Sequence, residues 1–382
     1  AKTETTVNAA TPTPAAADAK EPIKVGILHS LTGTIAIAEA SVVDAEKLAI
    51  EEINAKGGVM GRKIEAITED GASDWPTFAE KARKLLTVDK VACIFGCYTS
   101  ASRKAVLPVM ENAKGLLYYP TYYEGLEESP NIMYTAQEAT QSVIAAVNWL
   151  IQNRGKNFYL IGSDYIWPRT TNKIARPTIE KAGGKVVGED YAPLGHGQFA
   201  SAINKIKATK ADVVLSTVVG GSNVALYKQL IAAGINGKNQ TLLALAVSEE
   251  ELSGIGAENA TGFLSCMGYF QSIQSPTNQA FVKAFKAKYG EKRVVGDTLA
   301  CGYTSVHLWK LAAEKAQSFD VPKVVEASSE LAWDAPEGQI KFHEKNHHLW
   351  KHARIGEFQP DGQVKLLYES PLIEPNPFPE RG

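Results

Sequence analysis

The chain has 382 residues, 45% of them hydrophobic and 21% charged, an ordinary globular composition long enough for two cores. Forty Lys and Arg against forty-two Asp and Glu leave a formal charge of −2, so there is no basic field to recruit nucleic acid or acidic lipid, and no nucleic-acid partner is expected. No apolar run approaches the roughly 20 residues that span a bilayer.

Ala1 to Lys20 are mostly Ala, Thr, Pro and Lys, with too little apolar surface to offset chain entropy. Residues 1–21 are therefore expected to be a disordered tether, of the kind that follows a cleaved export signal and often a lipid-modified cysteine. An α/β rhythm starts at Ile23. Ile23–Leu28 reads as a short apolar strand, and a helix is expected from about Ala40 to Asn54, with Val43, Lys47, Ile50 and Asn54 on one stripe and Gly57-Gly58 as its stop. Strand Ile64–Asp70, helix Thr77–Thr87, strand Val91–Phe95, helix Ala101–Ala113 and strand Leu116–Tyr119 follow. Strands separated by helices of about 10 to 15 residues mean βαβ units and a parallel sheet.

The rhythm restarts with helix Gln141–Gln152, strand Asn157–Ile161, helix Thr171–Ala182 and strand Lys185–Asp190, then helix Phe199–Lys207, strand Val213–Ser216, helix Val224–Ala233 and strand Gln240–Leu245. A third block has strand Gly262–Met267, helices Asn278–Tyr289 and Gly296–Gln317, and a hairpin over Ala353–Tyr368 that turns at Gln359-Pro360-Asp361-Gly362. The expected architecture is α/β with two Rossmann-like lobes. One takes about residues 22–138 and 269–345, the other about 139–268 and 346–382, with several chain crossings between them.

Three polar, aromatic clusters each follow an apolar run: Gly96-Cys97-Tyr98-Thr99-Ser100, Tyr119-Pro120-Thr121-Tyr122-Tyr123 and Gly162-Ser163-Asp164-Tyr165-Ile166-Trp167-Pro168. In an open α/β sheet, ligands bind beyond the carboxyl ends of the strands, so these clusters are expected to share one pocket for something small, polar and uncharged. Thr99-Ser100 is placed to cap the next helix while its first-turn N–H groups face the crevice. Tyr119, Pro120 and Thr121 supply a ring, a rigid turn and a hydroxyl, and Tyr165 faces the crevice from the opposite lobe. Thr217-Val218-Val219-Gly220 ends another strand and offers backbone carbonyls and amides. Ser248-Glu249-Glu250-Glu251 has the pattern of a capping box, and its Glu249 is a further candidate to accept from ligand N–H groups.

The other motifs point away from metal, cofactor and catalysis. His343, His347, His348 and His352 lie close together, but in a segment that alternates like a strand and contains no cysteine, so no metal site is expected. With neither G-x-G-x-x-G nor a P-loop, no nucleotide cofactor is expected. There is no G-x-S-x-G and no histidine within the three clusters to activate a hydroxyl, and the H-E-x-x-H match at His343-Glu344-Lys345-Asn346-His347 falls in the strand-like segment rather than on a helix, where that spacing would put both histidines on one face. Cys93, Cys97, Cys266 and Cys301 are too few for a disulfide scaffold. Buried thiols are the default, and Cys93 and Cys97 straddle a strand end where a bridge is geometrically allowed.

Val25-Gly26-Ile27-Leu28-His29-Ser30-Leu31-Thr32-Gly33 and the run from Ile50 through Gly57-Gly58-Val59-Met60-Gly61-Arg62 resemble the opening of leucine/isoleucine/valine-type periplasmic receptors. Tyr98-Thr-Ser100-Ala-Ser-Arg-Lys-Ala-Val-Leu-Pro108, Tyr118-Tyr-Pro-Thr-Tyr-Tyr-Glu-Gly125, Ser129-Pro-Asn-Ile132, Gly162-Ser-Asp-Tyr-Ile-Trp-Pro-Arg169 and Ser216-Thr-Val-Val-Gly220 resemble the urea and short-chain-amide branch. The similarity runs from about Ile23 to Pro379. It implies a type I periplasmic-binding-protein fold whose lobes close about three crossing strands on a ligand in the interlobe cleft. It further implies delivery of that ligand to a membrane permease with a cytoplasmic ATPase. The resemblance puts Tyr98, Ser100, Tyr119, Thr121 and Tyr165 around a bound amide, urea first. It implies a monomeric receptor, not an enzyme, in the periplasm or on the outer face of the cytoplasmic membrane. Trp167 stands where some amide binders have Tyr, and Trp75 follows the strand-end Asp74, so both bear on pocket width. Other readings stay open: a receptor or cytoplasmic sensor of acetamide or formamide, a branched-chain amino-acid receptor, whose ligand brings an α-carboxylate and an ammonium, and an enzyme acting on urea, against which the absent metal ligands count. The tail over Ala1 to Lys20 argues for export.

Overall fold

The computed structural model describes residues 20–379. The expected tether lies outside the described residues except for its last two. These are tied down: Lys20 Nζ donates to Met60 O at 3.1 Å, and Arg62 Nε donates to Glu21 O at 2.7 Å.

The first sheet is parallel and contains β1 (Ile23–His29), β2 (Ile64–Asp70), β3 (Ile94–Gly96), β4 (Leu117–Tyr119) and β5 (Ile132–Tyr134), in the order β2-β1-β3-β4-β5. Helices Val42–Ala55, Trp75–Thr87 and Ser100–Ala113 make the crossovers, as the apolar stripes predict. β5 escapes the sequence reading. Its three residues are all buried, and so short a run behind Pro130 shows no period.

The second sheet is built from β6 (Asn157–Ser163), β7 (Lys185–Ala192), β8 (Val213–Thr217), β9 (Thr241–Ala244) and β10 (Leu264–Met267), which run parallel. The chain then forms a small antiparallel sheet, β11 (Ala332–Ala335), β12 (Gly338–Phe342) and β13 (Leu349–Trp350), before β14 (Arg354–Phe358) and β15 (Val364–Glu369) join the second sheet. Its order is β15-β14-β10-β9-β8-β6-β7, with β14 antiparallel to both β10 and β15. The helix after β6 begins at Ile166 rather than Thr171, because Pro168 falls in the first turn, where a missing N–H breaks no helical hydrogen bond.

The chain passes between the two halves three times: after β5, after β10, and between β13 and β14. Leu349–Trp350 still pair with β12, a few residues past the boundary suggested by chain order. The returning helix Asp297–Ala316 lies on helix Val42–Ala55, and Trp309 packs edge-on against Phe95 at 6.0 Å in a core shared with Ile27 and Ile50. Two buried cations tie the crossings together. Lys351 Nζ donates to Thr135 O at 3.1 Å and to Glu337 Oε1 at 2.6 Å, and Arg354 donates to Gly268 O and, at 2.7 Å, to Glu337 O.

The clustered histidines have local partners. His348 stacks on Tyr134 with centroids 4.1 Å apart, and burial lowers its pKa to about 3, so the ring is neutral. His343 Nδ1 accepts from the N–H of Lys345 at 3.1 Å, and His352 Nδ1 lies 2.7 Å from Ser370 O. Cys93, Cys97, Cys266 and Cys301 are all free and buried, and burial raises the thiol pKa of each. A thiol-reactive dye should therefore leave the folded chain almost unlabelled and titrate all of these cysteines after unfolding without reductant. Two missing thiols would instead show one bridge, and peptide mapping would assign it to Cys93 and Cys97 or to another pair.

Candidate functional site

The carboxyl ends of β3 and β4 face those of β6, β8 and β9 across the crevice between the sheets, as strand polarity requires. Thr99 ends the extended backbone after β3 and caps helix Ser100–Ala113 by accepting from Ala101 N at 3.2 Å. The first turn of that helix presents Ser100 and Arg103 to the segment after β4. Ser100 Oγ donates to Glu124 Oε2 at 2.6 Å and receives Arg103 Nη1 at 3.2 Å. The Arg103 guanidinium, fully buried, also donates from Nε to Glu127 Oε1 at 2.8 Å and from Nη2 to Glu124 Oε1 at 3.5 Å. It lies over the rings of Tyr119 (4.8 Å) and Tyr123 (4.4 Å).

Around this charge cluster the tyrosines form a wall. Tyr98 and Tyr122 share a hydroxyl–hydroxyl hydrogen bond of 2.7 Å, and the Tyr122 ring meets Trp167 of the opposite lobe at 5.3 Å. Tyr165, also from the opposite lobe, has its phenol pKa raised by burial and by the nearby Tyr98, Tyr119 and Glu124. The Tyr119 hydroxyl is buried beside the Arg103 guanidinium and the Ser100 hydroxyl. Thr121 Oγ1 is committed to Cys97 O at 3.0 Å, and Pro120 is buried between them.

Tyr98, Thr99, Ser100, Tyr119, Pro120, Thr121 and Tyr165 thus come together. The other candidates lie on further elements. Thr217 Oγ1 turns toward Ile161 O (3.3 Å) and Asn172 Oδ1 (3.4 Å), and Val219 N donates to Ser163 Oγ at 3.1 Å. A Cβ on Gly220 would lie 3.1 Å from Thr34 O of the first lobe, so this turn lies at the interlobe contact. Ser248 and Glu251 form the expected capping box. Glu249 Oε1 accepts from Gln271 N at 2.6 Å while its Oε2 is buried and unpartnered, and Glu251 acts electrostatically on Tyr98 and Tyr122. Trp75 starts helix Trp75–Thr87 beside the edge strand β2 and packs on Phe78 at 6.3 Å.

Sequence reasoning missed Arg103, Glu124 and Glu127 as parts of this site. The signal available was Ser100 and Arg103 at helical spacing directly after a strand-end cluster, with the acids Glu124 and Glu127 following the next one.

Burial by itself raises the pKa of Glu127, but Arg103 and Lys104 overcome it and hold the carboxyl down at about 2. A depressed pKa stabilises the fold above the unfolded carboxyl's value, and that stabilisation is lost as pH falls toward 2. Glu127→Gln should therefore cost about 3 kcal/mol near neutral pH, with the deficit shrinking as the pH is lowered below about 4.5. Scanning calorimetry from pH 3 to 7 checks this, and a deficit that does not change with pH would show that Glu127 is not an ionised partner of Arg103.

Comparison with known proteins agrees with this architecture. The family described as periplasmic binding protein domain matches residues 23–382. Leu/Ile/Val-binding protein homolog 7 of Brucella melitensis is 26% identical over 379 residues, spanning 92% of this chain and 93% of its own. Homolog 8 of Brucella abortus is 26% identical over 374 residues, spanning 91% and 90%. A solute-binding protein of an ABC transporter from R. palustris, solved with 4-hydroxybenzoate, superposes with a TM-score of 0.84 at 24% identity over 91% of this chain and 97% of that one. A leucine-binding protein from Thermotoga maritima does so at 0.80 with 20% identity, over 91% and 98%. Two α/β lobes joined by three crossings, with a family match over nearly all of the described chain, make this protein a member of the periplasmic binding protein family with its type I fold.

Proposed function

We propose that this chain is the extracytoplasmic receptor of an ABC transporter for urea, binding it between the lobes and presenting the closed form to a permease with its ATPase. The observation that carries the reading is the presence in one cluster of Glu124, a carboxylate only 2% exposed, and the buried Tyr119 hydroxyl, which lies beside Arg103 and Ser100 and keeps its O–H free to donate. A carboxylate accepts from N–H groups and a phenol donates to a carbonyl, so the two complement a planar amide. The rings of Tyr98, Tyr119 and Tyr165 supply flat walls.

Charge separates this reading from those suggested by the neighbours' ligands. The Ser100 hydroxyl already donates to Glu124, and Arg103 is balanced by Glu124 and Glu127. The carboxylate of leucine or of 4-hydroxybenzoate would meet a carboxylate here with no cation left to neutralise it, which costs several kcal/mol in a buried site. A neutral amide meets no such penalty. The wall is made by both lobes, through Tyr98 and Tyr119 on one side and Tyr165 and Trp167 on the other, so ligand contacts favour the closed state differentially. Among the described residues no helix is long and apolar enough to cross a membrane, which fits a receptor outside the cytoplasmic membrane.

Titration calorimetry with urea, acetamide, formamide, leucine and 4-hydroxybenzoate tests the assignment. Urea should give saturable heat and the two carboxylates none. Tyr119→Phe, Ser100→Ala and Glu124→Gln should each weaken urea binding by about 1–3 kcal/mol, through a lost or orphaned buried hydrogen bond. Preference for acetamide would move the assignment to the amide branch. Leucine binding, or unchanged affinity in all three variants, would overturn it.

A further inference from the structure

Away from the pocket, the segment between β1 and helix Val42–Ala55 reaches across to the second lobe. A Cβ on Gly195 would lie 3.3 Å from Thr34 Cγ2, one on Gly220 3.1 Å from Thr34 O, and one on Gly254 2.8 Å from Ile37 Cδ1. Helix Ala36–Glu39 rests against helix Glu249–Ile255. At Gly195 and Gly220 the positive φ already favours glycine, but Gly254 sits inside a helix, where glycine is a poor former and no turn requires it. The close approach of Ile37 accounts for it.

The base of the same segment is clamped to the first lobe. His29, fully buried, is held between Glu39 Oε1 at Nδ1 and Glu46 Oε1 at Nε2, each at 2.9 Å. Asp70 receives Leu31 N at 2.9 Å and Thr32 Oγ1 at 2.8 Å. Ser73 Oγ accepts from Ile35 N at 3.2 Å and donates to Thr32 O at 2.8 Å. The base is therefore rigid, whereas the tip is an aliphatic side chain 39% exposed at the rim of the cleft, with no part in the core of its own lobe.

We infer that Gly33–Glu39 is a closure latch: its tip, Thr34 and Ile37, seats on a glycine-lined surface of the second lobe and sets how long the closed form lasts, without touching the ligand. The inference rests on the closing-receptor reading, and it assigns Ile37 and Gly254 a positioning role. Contacts made only in the closed form slow ligand release and leave encounter nearly unchanged.

Ile37→Ser and Gly254→Val test it from the two sides of the contact. By stopped flow with urea, each should speed release by roughly three- to tenfold and change the association rate by less than about twofold. The melting temperature of the free protein should hold for Ile37→Ser and hold or rise for Gly254→Val, since a helical glycine is replaced. The double variant should lose less than the product of the single effects, because both remove one contact. A spin-label distance between surface sites on the two lobes, measured without ligand, should shift toward longer separations in both variants. If urea does not bind, that distance arm still decides the latch. Release rates and distance distributions that match the parent protein would overturn it, and so would a lowered melting temperature in both variants with unchanged interlobe distances.

Discussion

A guanidinium with no access to water must be neutralised, and the arrangement around Arg103 follows from that requirement. Arg103 draws Glu124 and Glu127 inward and spreads its face over the rings of Tyr119 and Tyr123. Glu127 in turn receives the Tyr134 hydroxyl at 2.9 Å, and Tyr134 stacks on the neutral His348. One buried charge thus fixes a chain of aromatic side chains from the pocket to the edge of the hinge. With Lys104 on Glu127 the cluster balances its own charge, two cations against two carboxylates.

The same economy of contacts couples the pocket to lobe movement. The three crossings are held at one end by Lys351 and Arg354, which reach Thr135 and Gly268 on the other two passes. Tyr122 against Trp167 joins the lobes beside the pocket, and Ile37 against Gly254 joins them at the rim. A ligand that fills the space between these points adds its differential contacts to those the lobes make with each other.

Much of this was legible from residues alone. β1, β6 and β8 are apolar runs of ordinary length between well-punctuated helices, and the capping box at Ser248 and Glu251 has an unambiguous pattern. The strand-end clusters at Tyr98, Tyr119 and Tyr165 were visible because hydroxyls and rings follow apolar strands with no structural need for so many. β5 and β13 were not, since strands of three and two residues have no period to read. Arg103, Glu124 and Glu127 were hidden for another reason. A charged residue in a sequence reads as surface by default, and only the fold shows that these three face one another in the interior. Thr217 was legible as a strand-end polar group, but the partner that turns it aside, Asn172, is set by tertiary packing.

The central claim is that the cleft is built for a neutral amide held between Glu124 and Tyr119. A crystal structure of the chain grown with urea tests it most directly. The account predicts a planar ligand in the cleft with one nitrogen within hydrogen-bond distance of Glu124 and its oxygen facing the Tyr119 hydroxyl. Urea bound elsewhere, or a carboxylate-bearing solute carried through purification and seated against Arg103, would contradict it.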